Sequence, residues 1–240
     1  MILGTQRSRN NSLCKLNLRM DGANDGTTFT DSSPSGKAIT NNSNTIKTKT
    51  ATKKFGTASG YSDSSAITRF LSTPDHVDFV IGNNVWTYEG WLYNTSPTSP
   101  LAIFPFGQLN SDSNRLIYVM RYRVSPLLDD SYMLGVVGGV TKMSELANNT
   151  SQNHFADTFH HLEISCNGTL VQIFLDGIKM AMTHNLSPTA TCDISNVWKI
   201  FCASPAGYAA SAFVGYIDDF RFMKGRQLHK NSFLIPNRAA

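Results

Sequence analysis

One short aromatic segment carries residue types that bind sugars. Trp91 and Tyr93 follow Glu89 at spacings of two and four residues, so all three side chains would lie on one face of a β-strand. Sugar sites combine aromatic walls with a few polar groups that fix orientation, so these three residues are the candidate carbohydrate-binding residues. The alternative is that the rings fill the core between two sheets, as aromatic side chains commonly do. The sequence alone leaves both placements open.

The acidic residues form no catalytic pattern along the chain. A two-carboxylate glycosidase needs an acid and a base a fixed distance apart, whereas Glu89, Glu145 and Glu163 are scattered and are not expected to cluster. The adjacent pair Asp218 and Asp219 would point to opposite faces of a strand. The sequence contains no nucleophile–histidine arrangement and no phosphate-binding glycine loop. We therefore predict that the protein is not an enzyme, and a glycan hydrolase is the least favoured function.

Asp218 is the most informative single residue. If residues 215–222 are extended, strict alternation places Asp218 on the same face as Tyr216, Phe220 and Phe222. A carboxylate among three rings costs free energy unless it has hydrogen-bonding or ionic partners. The sequence therefore predicts that the Asp218 carboxylate is held by specific partners.

Short runs of alternating apolar and polar residues recur along the chain. Leu16, Leu18 and Met20 alternate with Lys15, Asn17 and Arg19, which is typical of a strand with one buried face. Turn-forming pairs such as Asn167-Gly168 and Asp176-Gly177 separate many of the runs. This pattern predicts an antiparallel sandwich or barrel, with a short helix only at residues 142–148. Further strands are predicted at residues 37–40, 46–50, 66–71, 86–93, 101–106, 115–123, 132–137, 160–167, 170–176, 179–184, 197–203 and 212–223.

Composition and charge narrow the function further. Charged residues make up 16% of the 240 residues and the net charge is +4. The motifs that accompany nucleic-acid binding are missing, so nucleic acid is not an expected partner. No run approaches the roughly 20 apolar residues that span a bilayer, and the first residues lack the apolar core of a secretory signal. We therefore expect cytoplasmic synthesis, no membrane insertion, and four reduced cysteines.

Segments in order along the chain resemble the laminin-G-like branch of the concanavalin A-like lectin/glucanase superfamily, particularly versions found in bacteriophage proteins. The matching stretches are LNLRMDGAN (16–24), TFTDSS (28–33), KFGTAS (54–59), WTYEGWLY (86–93), HHL (160–162), FLDG (174–177) and GYIDDFRFMKG (215–225). Phe159 stands where that family often has tryptophan, which changes packing volume more than chemistry. The resemblance covers nearly the whole chain.

The resemblance implies an all-β fold, an antiparallel two-sheet β-sandwich of the concanavalin A-like jelly-roll type. This domain would span residues 13–225, with a flexible arm at residues 1–12 and a tail at residues 226–240. In the resembling fold the first and last strands are neighbours, so Asp21 could meet Asp218 and Asp219.

Oxygen ligands of this kind suit Ca²⁺, and the three aspartates are therefore the candidate ligands of a structural calcium ion. The alternative is that these carboxylates accept backbone N–H bonds at turns.

The resemblance to phage proteins implies a non-catalytic virion structural protein, either capsid-decorating or tail-associated. Its partners would be other virion proteins, bound by two short basic arms that become ordered on binding, and it would form a homo-oligomer, by analogy a trimer. The alternative is an adhesin, such as a tail-fibre lectin, that binds a host surface glycan through Trp91, Glu89 and Tyr93. We expect the protein to be located in the virion.

Overall fold

The computed structural model describes most of the chain. It covers residues 12–96, 102–121, 129–149, 156, 158–202 and 212–235. The predicted arm at residues 1–12, apart from Ser12, and the last five residues of the predicted tail lie outside this part.

Eighteen strands and two short 3-10 turns make up the described regular structure. The strands are β1 Cys14–Leu18, β2 Thr40–Asn41, β3 Lys47–Lys49, β4 Ser59–Ser62, β5 Leu71–Thr73, β6 Ile81–Gly82, β7 Val85–Asn94, β8 Ala102–Ser111, β9 Asn114–Arg121, β10 Asp129–Val137, β11 Val140–Asn149, β12 His160–Asn167, β13 Val171–Leu175, β14 Ile178–Lys179, β15 Ala181–Leu186, β16 Thr191–Cys192, β17 Trp198–Ile200 and β18 Gly215–Lys224. The turns are Asn42–Asn44 and Val77–Phe79.

The strands form two large antiparallel sheets. The first sheet has the order β14-β13-β12-β7-β18-β4-β3, with β1 also paired to β18. The second has the order β15-β11-β10-β9-β8-β17-β5-β2, and β6 pairs with β16 separately. The predicted antiparallel β-sandwich is confirmed. The expected contact between the first and last strands is also present, because Leu16 pairs with Phe222 and Leu18 with Phe220.

The core lies between the two sheets and is rich in aromatic residues. Tyr88 of the first sheet stacks on Trp198 of the second with ring centroids 5.0 Å apart, and on Phe222 at 4.3 Å. All three rings are fully buried, and burying a large side chain stabilises the fold by roughly 1.5–3 kcal/mol. All four cysteines are buried, and none of them forms a disulfide with another. Packing between the sheets therefore holds the sandwich together.

The prediction of a short helix at residues 142–148 is wrong. This segment belongs to β11, which pairs with β10 on one side and β15 on the other. Met143, Glu145 and Ala147 are buried and alternate with more exposed residues. Pairing on both sides satisfies the backbone of this segment as a strand, and it overrides a weak local preference for helix.

The boundaries of some shorter strands also differ from the prediction. The segment 59–62 forms β4, which was not predicted because its sequence, SGYS, shows no apolar alternation. A strand was predicted at residues 66–71, but residues 66–70 precede β5 and do not belong to a strand. In both places neighbouring strands decide the pairing, which the local sequence does not encode.

A β-bulge in β18 overturns the predicted alternation of its side chains. Three residue steps from Asp218 to Arg221 lie opposite two steps from Trp91 to Glu89, and Asp219 has a positive φ of 46°. The extra residue at the bulge reverses which of the following side chains point outward and which point into the core. Asp218 therefore shares the outer face with Tyr216, whereas Phe220 and Phe222 belong to the core.

No helix within the described ranges is long and apolar enough to cross a membrane.

Candidate functional site

The outer face of the first sheet carries most of the residues that could do chemistry. Strand pairing places them in rows across β12, β7 and β18, because residues opposite each other in antiparallel strands lie side by side. One row is Tyr93 beside Tyr216, and the next is His161, Trp91 and Asp218. A third row contains Glu163, Glu89 and Arg221.

The first row continues on both sides, so that four aromatic rings form a strip. Tyr216 stacks on Tyr61 of β4 with centroids 4.5 Å apart and on Tyr93 at 5.5 Å. Phe159, just before β12, lies 5.7 Å from Tyr93 and 6.2 Å from Tyr216. All four side chains are partly exposed. We call these residues the aromatic strip. The strip runs across β4, β18 and β7 to the residue before β12, and it presents aromatic surface on the outside of the sheet.

A polar pocket of about 360 Å³ lies at the β3–β4 end of the strip. Tyr61 forms part of its wall, together with seven polar or charged residues. These are Asp25, Asn44, Thr45, Lys47, Lys49, Asp63 and Arg69. Burial and the neighbouring Tyr216 raise the pKa of Tyr61, so its hydroxyl stays protonated at neutral pH. The pocket therefore combines one aromatic wall with several hydrogen-bonding groups.

Trp91 lies on the outer face but is covered. Its side chain is only 2% exposed. The Lys54 ammonium sits 4.0 Å from the indole centroid, and the rings of Phe55 and His161 meet it edge-on at 5.5 Å and 5.1 Å. In this arrangement the cation–π contact occupies the indole face that a sugar would need. Of the three predicted sugar-binding residues, the structure brings only Tyr93 to the open surface.

Glu89 and Glu163 are direct register partners on β7 and β12, so the expectation that the glutamates do not cluster is wrong for this pair. Glu89 is 5% exposed and Glu163 is fully buried. Burial opposes ionisation of Glu89, but the hydrogen-bonding ring of His161 and the charge of Arg221 hold its pKa below the usual value. Burial raises the pKa of Glu163, against a hydrogen bond with His229.

Each buried glutamate thus has a basic side chain as a partner. The Arg221 guanidinium pairs with Glu89, and the His229 ring binds Glu163 at 2.5 Å. Removing a partner from a buried charge is strongly destabilising, whereas the intact pair contributes little net stability. Glu89 and Glu163 are covered by other residues and do not line a cleft. Their geometry is therefore accounted for by a role in stabilising this part of the sheet. A sugar-binding role of Glu89 stays a prediction.

Residues 225–235, which we call the C-terminal strap, cover this part of the sheet. The Thr87 hydroxyl donates to the carbonyl of Arg226 at 2.8 Å, and the Phe233 N–H donates to the carbonyl of Gly177 at 2.8 Å. The Phe233 ring stacks on His229 at 3.5 Å and lies 5.6 Å from Phe174. The described part of the predicted tail therefore packs on its own sandwich. The predicted domain boundaries themselves stay a prediction.

The candidate calcium ligands are held by a loop between them. The Asp218 carboxylate is fully buried and one oxygen accepts backbone N–H bonds from Lys54 at 2.7 Å and Phe55 at 3.0 Å. Asp21, which is exposed, accepts from the backbone N–H and the hydroxyl of Thr57. This matches the alternative in which the carboxylates accept backbone N–H bonds at turns.

The electrostatics of Asp218 are unusual for an aspartate. Its second oxygen is buried and accepts no hydrogen bond from the part of the chain that the structure describes, and burial raises the pKa of Asp218 to about 7. Among the described residues no group of three or more His, Cys, Asp or Glu side chains is placed to hold a metal ion. Calcium binding by Asp21, Asp218 and Asp219 therefore stays a prediction.

Sequence reasoning missed Tyr61, Tyr216 and the pocket residues as one site. Tyr216 was recognised only as a member of an alternating strand, and Lys47 and Lys49 only as part of the predicted strand at residues 46–50. The available signal was weak, because β4 pairs with β18 through residues separated by about 150 positions in sequence, and β3 joins the site only through its pairing with β4.

Comparisons with known proteins show the fold. No protein-family model and no curated protein matches the sequence. Three similar solved structures are the binding domain of Paraclostridial Mosquitocidal Protein 1 (TM-score 0.62, 11% identity), the receptor binding domain of botulinum neurotoxin D (0.59, 10%) and domain 4 of AbnA, an arabinanase from Geobacillus stearothermophilus (0.53, 16%).

The extent of the match differs among these neighbours. It covers 91%, 95% and 81% of this chain, respectively. The chain spans about half the length of the first two, 50% and 51%, and 86% of the third. The chain is thus a β-sandwich whose fold is similar to the matched parts of these three structures. Since no family model matches, the resemblance to phage laminin-G-like domains stays a prediction.

Proposed function

We propose that this protein is a non-catalytic carbohydrate-binding module that binds glycan on the outer face of its first sheet. One observation carries the proposal: the partly exposed aromatic strip ends at a polar pocket, with Tyr61 shared by both. This is the combination that sugar binding requires, because aromatic surface takes the apolar parts of a pyranose and polar groups take its hydroxyls. Of the two functions expected from the sequence, the geometry favours the adhesin over the purely structural role.

The residues expected to act differ in part from those chosen from sequence. Tyr93 keeps its predicted place, and Tyr61, Tyr216 and Phe159 replace Trp91 as the aromatic surface, because Trp91 is covered by Lys54. Glu89 is already bound to Arg221 and His161. A sugar could reach Trp91 or Glu89 only if the residues that cover them moved.

The structural neighbours support a binding function in a general way. The arabinanase domain was solved in complex with arabinotriose, and a further neighbour (TM-score 0.62, 11% identity) concerns entry of botulinum neurotoxin type C through two ganglioside molecules. These ligands belong to those proteins. They support the proposal because both proteins contain a similar β-sandwich and both bind a molecule that contains sugar.

Location on a phage virion is part of the proposal but rests on the sequence resemblance alone. An adhesin on a virion would bind glycan on the host surface. Copurification of the protein with virions, and capsid or tail genes beside its own, would support that location; neighbouring genes of another kind would overturn it without affecting glycan binding.

A glycan array with the purified protein tests the function. We expect specific binding to a subset of glycans, with affinity reduced roughly tenfold or more in Tyr61→Ala and Tyr216→Ala, since loss of an aromatic anchor costs about 1–2 kcal/mol or more. Tyr132→Ala is the matched control, because Tyr132 is a partly buried tyrosine outside the strip, in β10 of the second sheet. Circular dichroism of each variant establishes that it folds. Binding to no glycan, or equal losses in all three variants, would overturn the proposal.

A further inference from the structure

The polar pocket beside Tyr61 has an excess of positive charge. Its cations are Lys47, Lys49 and Arg69, and its carboxylates are Asp25 and Asp63. The Lys49 ammonium pairs with Asp25 at 2.6 Å, and the Arg69 guanidinium pairs with Asp63. Both carboxylates are therefore already neutralised, and the Lys47 ammonium is the surplus charge in the pocket wall.

We propose that this pocket binds the anionic group, carboxylate or sulfate, of an acidic glycan that also contacts the exposed part of Tyr61, whose ring stacks on Tyr216 and lies 5.9 Å from the Lys49 ammonium. The inference rests on the proposed function, since the aromatic strip must first hold the glycan. It goes further by assigning a ligand class and by adding Lys47 and Arg69 as residues that determine specificity.

The position of Lys47 suits this role. Lys47 on β3 is the register partner of Tyr61 on β4, so the two side chains leave neighbouring strands side by side. Lys47 is exposed and forms no ion pair with the described residues, so its ammonium can move towards a ligand. A glycan in contact with the exposed part of Tyr61 would thus carry its anionic group within reach of Lys47.

Arg69 offers the second cationic contact. Besides its pair with Asp63, it donates to the carbonyl of Thr45 at 3.4 Å, which holds the guanidinium at the pocket wall. The Asp63 side chain is 59% exposed, so water already competes for this ion pair and its strength is small. A guanidinium has five N–H donors in a planar fork that matches carboxylate and other oxyanions. Arg69 therefore has donors available for a bound anion.

The walls of the pocket are held in shape before any ligand arrives. Asp25 and Asn44 both have left-handed φ angles, 60° and 52°, and backbone conformations of this kind persist only where surrounding contacts hold them. The Asp25 N–H donates to the carbonyl of Thr48 at 2.8 Å. The Asn41 side chain binds both the N–H and the carbonyl of Ile46. These hydrogen bonds fix the turns that contain Asp25 and Asn44 next to β3. The pocket therefore loses less conformational entropy when a ligand binds.

The test compares three groups of immobilised oligosaccharides: carboxylate-bearing (sialylated or uronic-acid-containing), sulfated, and neutral glycans of similar size. Wild type is expected to prefer one or both acidic groups, and comparison of these two identifies the anion. Raising NaCl should weaken acidic binding, because an exposed ion pair is screened by salt. Lys47→Gln is expected to reduce affinity for the acidic glycan roughly three- to tenfold, and Lys47→Gln with Arg69→Gln further.

Lys230→Gln provides the matched control, since Lys230 is an exposed lysine on the C-terminal strap, outside the pocket. It should bind acidic glycans like wild type. Equal binding of neutral and acidic glycans, with no effect of Lys47→Gln, would overturn this inference and leave the proposed function intact. Binding to no glycan in any group would overturn both.

Discussion

Asp21 and Asp218 hold one loop between them. Asp218, at the bulge of the last long strand, accepts the backbone N–H groups of Lys54 and Phe55, while Asp21, after the first strand, accepts that of Thr57. The loop places the Lys54 ammonium over Trp91. Two carboxylates from opposite ends of the sequence therefore position the residues that cover the indole, and the open part of the face is left to the aromatic strip.

The raised pKa of Asp218 predicts an unusual dependence of stability on pH. In the unfolded chain an aspartate titrates near 3.9, whereas in the fold burial raises the pKa of Asp218 to about 7. Between these values the folded state binds more protons than the unfolded state. The contribution of Asp218 to the free energy of unfolding therefore falls as pH rises from about 4 to 7, by roughly 4 kcal/mol, and is constant above that range.

Asp218→Asn should remove this dependence, because asparagine keeps an oxygen that accepts from Lys54 and Phe55 but does not ionise. Urea unfolding from pH 4 to 8 is expected to show the variant gaining stability relative to wild type as pH rises, up to a plateau near pH 7. Asp112→Asn is the control, since Asp112 is a largely exposed carboxylate in a surface ion pair. A variant-to-wild-type difference that stays constant from pH 4 to 7 would refute the expectation.

The calcium hypothesis makes a separate prediction. If Asp21, Asp218 and Asp219 bind Ca²⁺, millimolar Ca²⁺ should raise the Tm, because a ligand that binds only the folded state stabilises it. EDTA should reverse the increase, and Asp218→Ala should abolish it. A melting curve of the wild type that is the same in Ca²⁺ and EDTA would rule out the site and leave the backbone N–H groups as the ligands of these carboxylates.

Gly177 is predicted to be essential for docking of the C-terminal strap. Its φ is 75°, and a Cβ at this position would lie 2.1 Å from the carbonyl oxygen of Phe233. Gly177→Ala should therefore strain the backbone and also displace the strap. The backbone strain alone costs about 1–2 kcal/mol. We expect a larger loss of stability than this, with faster hydrogen exchange of the Phe233 amide, which donates to Gly177.

Gly138→Ala separates the two effects, because Gly138 has a similar φ of 59° but no atom of the described residues would lie within 4 Å of a Cβ there. It should show the backbone strain without the change in the strap. Equal losses of stability in the two variants, with unchanged exchange at Phe233, would show that the strap does not depend on close approach to Gly177.

Part of this protein can be predicted from local sequence. Alternation in segments such as 16–18, 86–93 and 160–167 identifies long strands correctly, and the turn at Asp176-Gly177 follows from residues that tolerate positive φ. Tyr93, Trp91 and Glu89 do share one face of β7, as their spacing requires. These features depend only on the period of a strand and on the conformational preferences of single residues.

The tertiary structure alone decided which face was open and which residues met there. The bulge at Asp219 moved Asp218 away from Phe220 and Phe222, and no local pattern announces an inserted residue. Tyr61 stacks on Tyr216, and Glu163 faces Glu89, only because distant strands pair in one register. The sequence determines how side chains alternate along each strand. Long-range strand pairing, together with the C-terminal strap and the loop held by Asp21 and Asp218, decides what each face of the sheet contacts. That is why the sequence predicted candidate sugar-binding residues on one strand, whereas the fold decided which aromatic residues are open to a ligand.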